Sequence, residues 1–242
     1  MIYKNAPIQE AVFDVRVDKI NVDNGESLSF FGDILKESYP DEKKKNNFSG
    51  TIHFNSPSGP ETRTQNKTIG YIYSTLDSTR QIQIRLDGFT FNVLRPYENW
   101  EIHFDEFIKN WELYNSKLKP SNILRIAARY INRIEIPTPV TDFQEYITNI
   151  PPIPKCLPQT LSNFFMQTQI PCEEELKIVT LTETIEQIKE NSLFFILDID
   201  VGQQMGIENN TCSLVKIFNE IRDLKNKIFE TCITEKTRKL FI

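Results

Sequence analysis

From Phe48 to Leu94 the chain passes through four strand-like runs with no helix-period pattern between them. They are Phe48–Asn55, Ile69–Thr75, Gln81–Leu86 and Phe89–Leu94, and Asp87-Gly88 between the last two marks a tight hairpin. Helical periodicity appears only at the ends of such series. Strand runs capped by helices, without regular β–α–β alternation, argue for an α+β fold over a parallel doubly wound sheet.

The flanking segments complete the pattern. Between Ile8 and Val17, Ala11, Phe13, Val15 and Val17 share one face, while Glu10, Asp14 and Arg16 take the other, as in a half-buried strand. Leu28, Phe31, Ile34 and Leu35 predict an amphipathic helix ending before Pro40. The charged stretch Asp41–Asn47 and the polar stretch Ser56–Lys67 are expected as loops. A second helix is predicted from Trp100 to Leu118. Ile123–Ile136, between Pro120 and Pro137, is read as a long strand, although its spacing would also suit a helix. A short helix about Asp142–Thr148 and a proline-rich connector follow. Strands are then expected at Leu161–Ile170, Leu176–Thr184 and Leu193–Val201, and a last helix carries Leu214, Ile217, Ile221, Leu224 and Ile228.

Read this way, residues 1–119 and 120–242 each run strand, helix, several strands, helix. The expectation is two sheet-and-helix modules of like element order, packed as one unit and related by an internal duplication. At 242 residues, with 39% hydrophobic and 25% charged side chains, the chain can bury a substantial core. No stretch approaches the ~18 consecutive apolar residues of a membrane helix, and the start lacks a secretory signal pattern. The expectation is a cytoplasmic protein with no membrane association, its cysteines Cys156, Cys172, Cys212 and Cys232 reduced.

Three segments in order, Asn5–Phe13 (NAPIQEAVF), Arg125–Ile134 (RIAARYINRI) and Leu197–Val201 (LDIDV), resemble a sporadically distributed bacterial family of about this length. Residues Gly88–Tyr114 and the ending Asn226–Phe241 are similar to it as well. The resemblance implies scattered inheritance, as is common for genes on mobile or defence-associated islands. It brings no activity with it, because none is established for that family.

Arg125, Arg129 and Arg133 form the most distinctive side-chain pattern. Spacings of four place all three on one face of a strand, about 13 Å apart, and would equally align them on a helix. Such a row suits bidentate recognition of phosphate or carboxylate. The plainer expectation is pairing with carboxylates of neighbouring strands, such as Glu10 and Asp14. Asp198 and Asp200 share one face near the end of an apolar strand. Paired aspartates there can hold a divalent metal or serve as acid and base, or turn to solvent and accept bonds from the arginine row.

Other chemistry finds little footing. His53 and His103 are flanked by apolar residues, which speaks against zinc. No phosphate-binding or dinucleotide-binding glycine loop and no nucleophile elbow occurs, and no cofactor is implied. Tyr71, Tyr73, Phe89, Phe91, Tyr97, Trp100 and Trp111 could stack on bases beside Arg80, Arg85 and Arg95, but their spacing fits a core. A net charge of −5 does not favour a nucleic-acid partner. The leading expectation is a non-enzymatic binding, regulatory or accessory module with a protein partner, and a homodimer through the last helix is a second arrangement. The alternatives are an enzyme acting on a phosphorylated or nucleotide substrate through Asp198, Asp200 and the arginine row, or a nucleic-acid-binding protein.

Overall fold

In the computed structural model, which describes residues 3–18, 20–53, 61–172, 176–204 and 207–242, one antiparallel sheet runs through the molecule. Its strands are β1 (Ile8–Val17), β2 (Asp41–His53), β3 (Glu61–Ser74), β4 (Arg80–Arg85), β5 (Gly88–Leu94), β6 (Ile123–Pro137), β7 (Phe165–Cys172), β8 (Lys177–Ile188) and β9 (Ser192–Gln203). The order across the sheet is β2-β3-β4-β5-β1-β6-β9-β8-β7. At about 4.8 Å per strand the sheet is about 38 Å wide. The fold is α+β. Segments 1–119 and 120–242 meet at its middle, where β1 pairs antiparallel with β6 and Ala11 stands opposite Tyr130.

Period-two patterning decides which side is buried. Ala11, Phe13 and Val15 of β1, Phe89 and Phe91 of β5, Ile126, Ala128 and Tyr130 of β6, and Leu197 and Ile199 of β9 all point to one face. Two long helices cover it: α2 (Trp100–Leu118) and α3 (Thr211–Cys232), following the short helix α1 (Phe31–Leu35). Asn99 caps α2 by accepting from the Ile102 amide, and Asn210 caps α3 by accepting from Ser213. Lys119 ends α2 in the left-handed conformation. The helices meet the sheet through aromatic rings. Phe13 lies 5.3 Å from Phe107 and 6.0 Å from Phe218 between ring centroids, so β1, α2 and α3 share one cluster. The aromatic residues with strand and helix spacing are core, Tyr97 being partly buried and the others fully so.

Several expected boundaries move. Asp41–Asn47 is not a loop but the first half of β2, paired to β3 from Asp41↔Ser74 onward. Residues 61–67 of the expected second loop belong to β3, while 56–60 lie outside the described residues. The helix expected at Asp142–Thr148 is a single 3-10 turn at Phe143–Glu145. The helix before Pro40 begins as a 3-10 turn at Gly25–Phe30. Ile123–Pro137 is a strand. The apolar stripe of α3 packs on β6 and β9, and after the short α4 (Glu235–Arg238) Phe241 docks edge-on against Tyr3, 5.3 Å away. Among the described residues no helix is long and apolar enough to cross a membrane.

Candidate functional site

The face of the sheet opposite the helices is polar. Its middle holds a hollow of about 310 Å³ bounded by β1, β4, β5, β6 and β9, with Lys45 of β2 at its edge. Alternation places the side chains: residues next to each core position along a strand project to the other side. Thus Glu10, Asp14 and Arg16 of β1, Arg85 of β4, Thr90 and Asn92 of β5, Arg125 and Arg129 of β6, and Asp200 of β9 share this surface.

Their contacts form a ladder of ion pairs. Arg125 Nη2 donates to Asp200 Oδ1 at 2.8 Å, and its Nη1 lies 3.7 Å from Asp14 Oδ2. Arg129 Nε donates to both Asp198 oxygens, at 2.9 and 3.1 Å. Arg133 Nε donates to Glu186 at 2.6 Å, and its guanidinium covers the Phe194 ring at 3.7 Å. Gly202 makes room for this arrangement. A Cβ there would fall 2.9 Å from Arg125 Nη2, so glycine lets the guanidinium lie flat across β9.

Beneath the hollow sits a drier cluster. Arg85, 4% exposed, donates from Nη2 to Asp14 Oδ1 at 3.1 Å and from Nε to Asp87 at 2.9 Å. The Thr90 hydroxyl donates to the same Asp14 oxygen at 2.6 Å. Arg16 adds a bond to Asp14 at 3.0 Å. Gly88, at φ 153°, turns the β4–β5 hairpin close to β1, where a Cβ would fall 2.2 Å from the Val15 carbonyl.

The residues singled out in the sequence therefore divide. Arg125, Arg129 and Asp200 line the hollow, Asp198 is held under Arg129, and Arg133, further along β6, reaches across β9 to Glu186 of β8. Both aspartates are engaged by guanidinium groups, so a divalent ion would have to displace an arginine from each. Among the described residues no group of three or more His, Cys, Asp or Glu gathers as metal ligands. Burial pushes the Asp200 carboxyl up against the pull of Arg125, while the Asp198 hydrogen bonds push Arg129 up.

Lys45 is the contributor that sequence patterning missed, because its strand was read as a loop. Its ammonium donates to Gln83 at 2.6 Å. Desolvation first, then the nearby Arg85 and Arg16, lower its pKa. Five cations (Arg16, Lys45, Arg85, Arg125, Arg129) and three carboxylates (Glu10, Asp14, Asp200) line the hollow, and Asp87 and Asp198, bonded to Arg85 and Arg129, bring the charges into balance.

Comparison with protein-family models, with curated proteins and with solved structures gives no match. The functional reading rests on the chemistry of the surface itself.

Proposed function

We propose that the chain is a non-enzymatic binding module whose open sheet face receives an acidic segment of a protein partner. The observation that carries this reading is the hollow at the centre of that face, into which Arg16, Lys45, Arg85, Arg125 and Arg129 converge. Guanidinium groups already aligned by Asp14, Asp198 and Asp200 present remaining N–H donors in fixed directions, which lowers the ordering cost of binding a carboxylate. The overall negative charge discourages non-specific association with polyanions.

The same reading includes an origin by duplication. In each half the first strand lies beside the last strand of its own meander, β1 beside β5 and β6 beside β9, and the meander runs outward to an edge. A long helix follows each meander. These two correspondences support two copies of one unit joined through β1 and β6.

The test is native mass spectrometry of the protein purified gently from its own host, with Lys45→Glu and Arg129→Glu variants alongside. Among the described residues the Lys45 side chain bonds only Gln83, and Arg129 is half-exposed, so both variants should fold, the Arg129 variant with a lower melting temperature because Asp198 loses its partner. The expected result is a second polypeptide at fixed stoichiometry that is lost in both variants while both stay folded and Lys45→Glu keeps its melting temperature. A partner retained by both variants sinks the reading, and so does a bound mass removed by nuclease, which transfers the face to nucleic acid.

A further inference from the structure

The helical side of the sheet contains a second cavity, of about 330 Å³, with no part in the ion-pair ladder. Four segments enclose it: Tyr3 to Ile8, the start of α2 from Tyr97 to Glu101, Tyr130 and Asn132 of β6, and α3 from Arg222 to Glu230. One wall is aromatic. Tyr97 and Tyr130 hold their hydroxyls 3.0 Å apart, and Trp100 lies beneath the Arg222 guanidinium at 5.0 Å.

The charges in this cavity are balanced in number but not in engagement. Arg222 donates to Glu101 at 2.8 Å. Glu230 accepts from Tyr3 at 2.9 Å and from Arg238 at 2.9 Å. Glu98 is exposed, and its backbone amide donates to His103. Lys227 is exposed at the mouth. Lys225 stands apart. Its Nζ sits 3.8 Å from the Tyr130 ring centroid, and among the described residues no carboxylate or other acceptor engages it. Sequence periodicity carries a trace of this: Lys225 falls in the buried stripe Phe218, Ile221, Phe229 of α3, where an apolar residue belongs.

We propose that this cavity binds a small organic monocarboxylate with a flat apolar body, its carboxylate on Lys225 and its body against Trp100 and Tyr97. The volume suits a compact ligand, and a ring face suits an aromatic wall. A carboxylate is preferred to a phosphate because Glu98, Glu101 and Glu230 match the three cations in number and repel a dianion. The one guanidinium in the lining, Arg222, is already committed to Glu101.

A consequence is proton uptake on binding. Desolvation, with Arg222 adding repulsion, brings the Lys225 ammonium down to about 7. The titratable groups lining the cavity with it are Tyr3, Tyr97, Glu98 and Glu101, Tyr130 of β6, and Arg222, Lys227 and Glu230 of its own helix. Burial raises Tyr3 and Tyr97 to about 12 and Tyr130 further, so the tyrosines stay neutral. An anion seated on Lys225 restores the charged form and draws a proton from solvent.

The experiment is titration calorimetry of the full chain with benzoate and indole-3-acetate, and with indole-3-acetamide as the uncharged counterpart. Running it near about pH 7.5 in phosphate and in Tris separates the heat of proton uptake. Expected are saturable binding of at least one acid, a loss of about tenfold or more in Lys225→Met, and net proton uptake that disappears in Lys225→Arg. Bound acid should also protect Lys225 of the wild-type chain from acetic anhydride, read by peptide mass, which needs no variant to fold. Equal affinity for acid and amide overturns the proposal. So does unchanged affinity in Lys225→Met, or no binding of either acid at about 5 mM.

Discussion

Arg129 stands directly opposite Asp200 in the β6–β9 ladder, yet its guanidinium reaches past it to Asp198. Arg125 leans the same way and takes Asp200. Arg129 thus bonds a diagonal neighbour, while Arg125 reaches one step further along β9, across Gly202. Alanine double-mutant cycles followed by urea denaturation should therefore give a coupling of about 1 kcal/mol for Arg129 with Asp198. Arg129 with Asp200 should show clearly less. The reverse ranking would mean that the diagonal geometry is wrong.

Removing Asp14 should hurt far more. Arg85 is buried against it and Thr90 donates to the same oxygen, so Asp14→Ala leaves a desolvated cation with Asp87 as its one carboxylate among the described residues, beside the Thr90 hydroxyl. Breaking one side of a buried pair costs about 3–5 kcal/mol. Adding Arg85→Met to Asp14→Ala should return much of that loss in chemical denaturation, and no recovery at all would show that the cost lies elsewhere.

Glu183 gives the fold a pH signature. It is fully buried on the core side of β8, its Oε2 accepts from Asn149 at 2.7 Å, and among the described residues its Oε1 has no partner. Desolvation raises its carboxyl to about 7. Below the ordinary glutamate pKa both folded and unfolded chains hold the proton and nothing is lost. As pH rises the unfolded chain ionises first, so stability falls until the folded carboxyl also ionises near 7, and then levels. The full difference is about 3 kcal/mol. Glu183→Gln should track the wild type at low pH and exceed it above neutrality, measured by urea denaturation across that range. A constant gap between the two would remove the assignment.

Helix α3 should depend on its first residue contact. Asn210 accepts from the Ser213 amide at 2.8 Å, and Asn210→Ala should cost about 1 kcal/mol. Substitution by Gly should cost only a few tenths of that unit, and equal losses in thermal melts would argue against a capping role.

What the sequence made legible follows from how local each signal is. Trp100–Leu118 could be bounded closely because its stripe is long and Pro120 follows at once. The strand β1 was plain because every second residue enters the aromatic core. The first half of β2 was not. Asp41 to Asn47 pair with β3 through backbone hydrogen bonds at the sheet edge, and Lys43, Lys44 and Asn47 remain exposed there, so no apolar alternation marks them. That misreading also hid Lys45. The pairing of Arg125 and Arg129 with Asp200 and Asp198 joins residues far apart in the chain, and no local pattern specifies which strand will lie beside which. Lys225 left a trace only as an ionisable side chain where α3 wanted an apolar one.

The meeting of β1 and β6 sets a timetable for synthesis. Ala11 leaves the ribosome long before Tyr130, its partner across the sheet, has been made. At the usual pace of translation the interval is on the order of ten seconds. Until β5 is made β1 has neither neighbour, and after that it can pair with β5 on one side only, its other edge, beside Phe13 and Val15, being open to any strand nearby. The nascent first half is therefore the species most exposed to chaperone capture or misassembly.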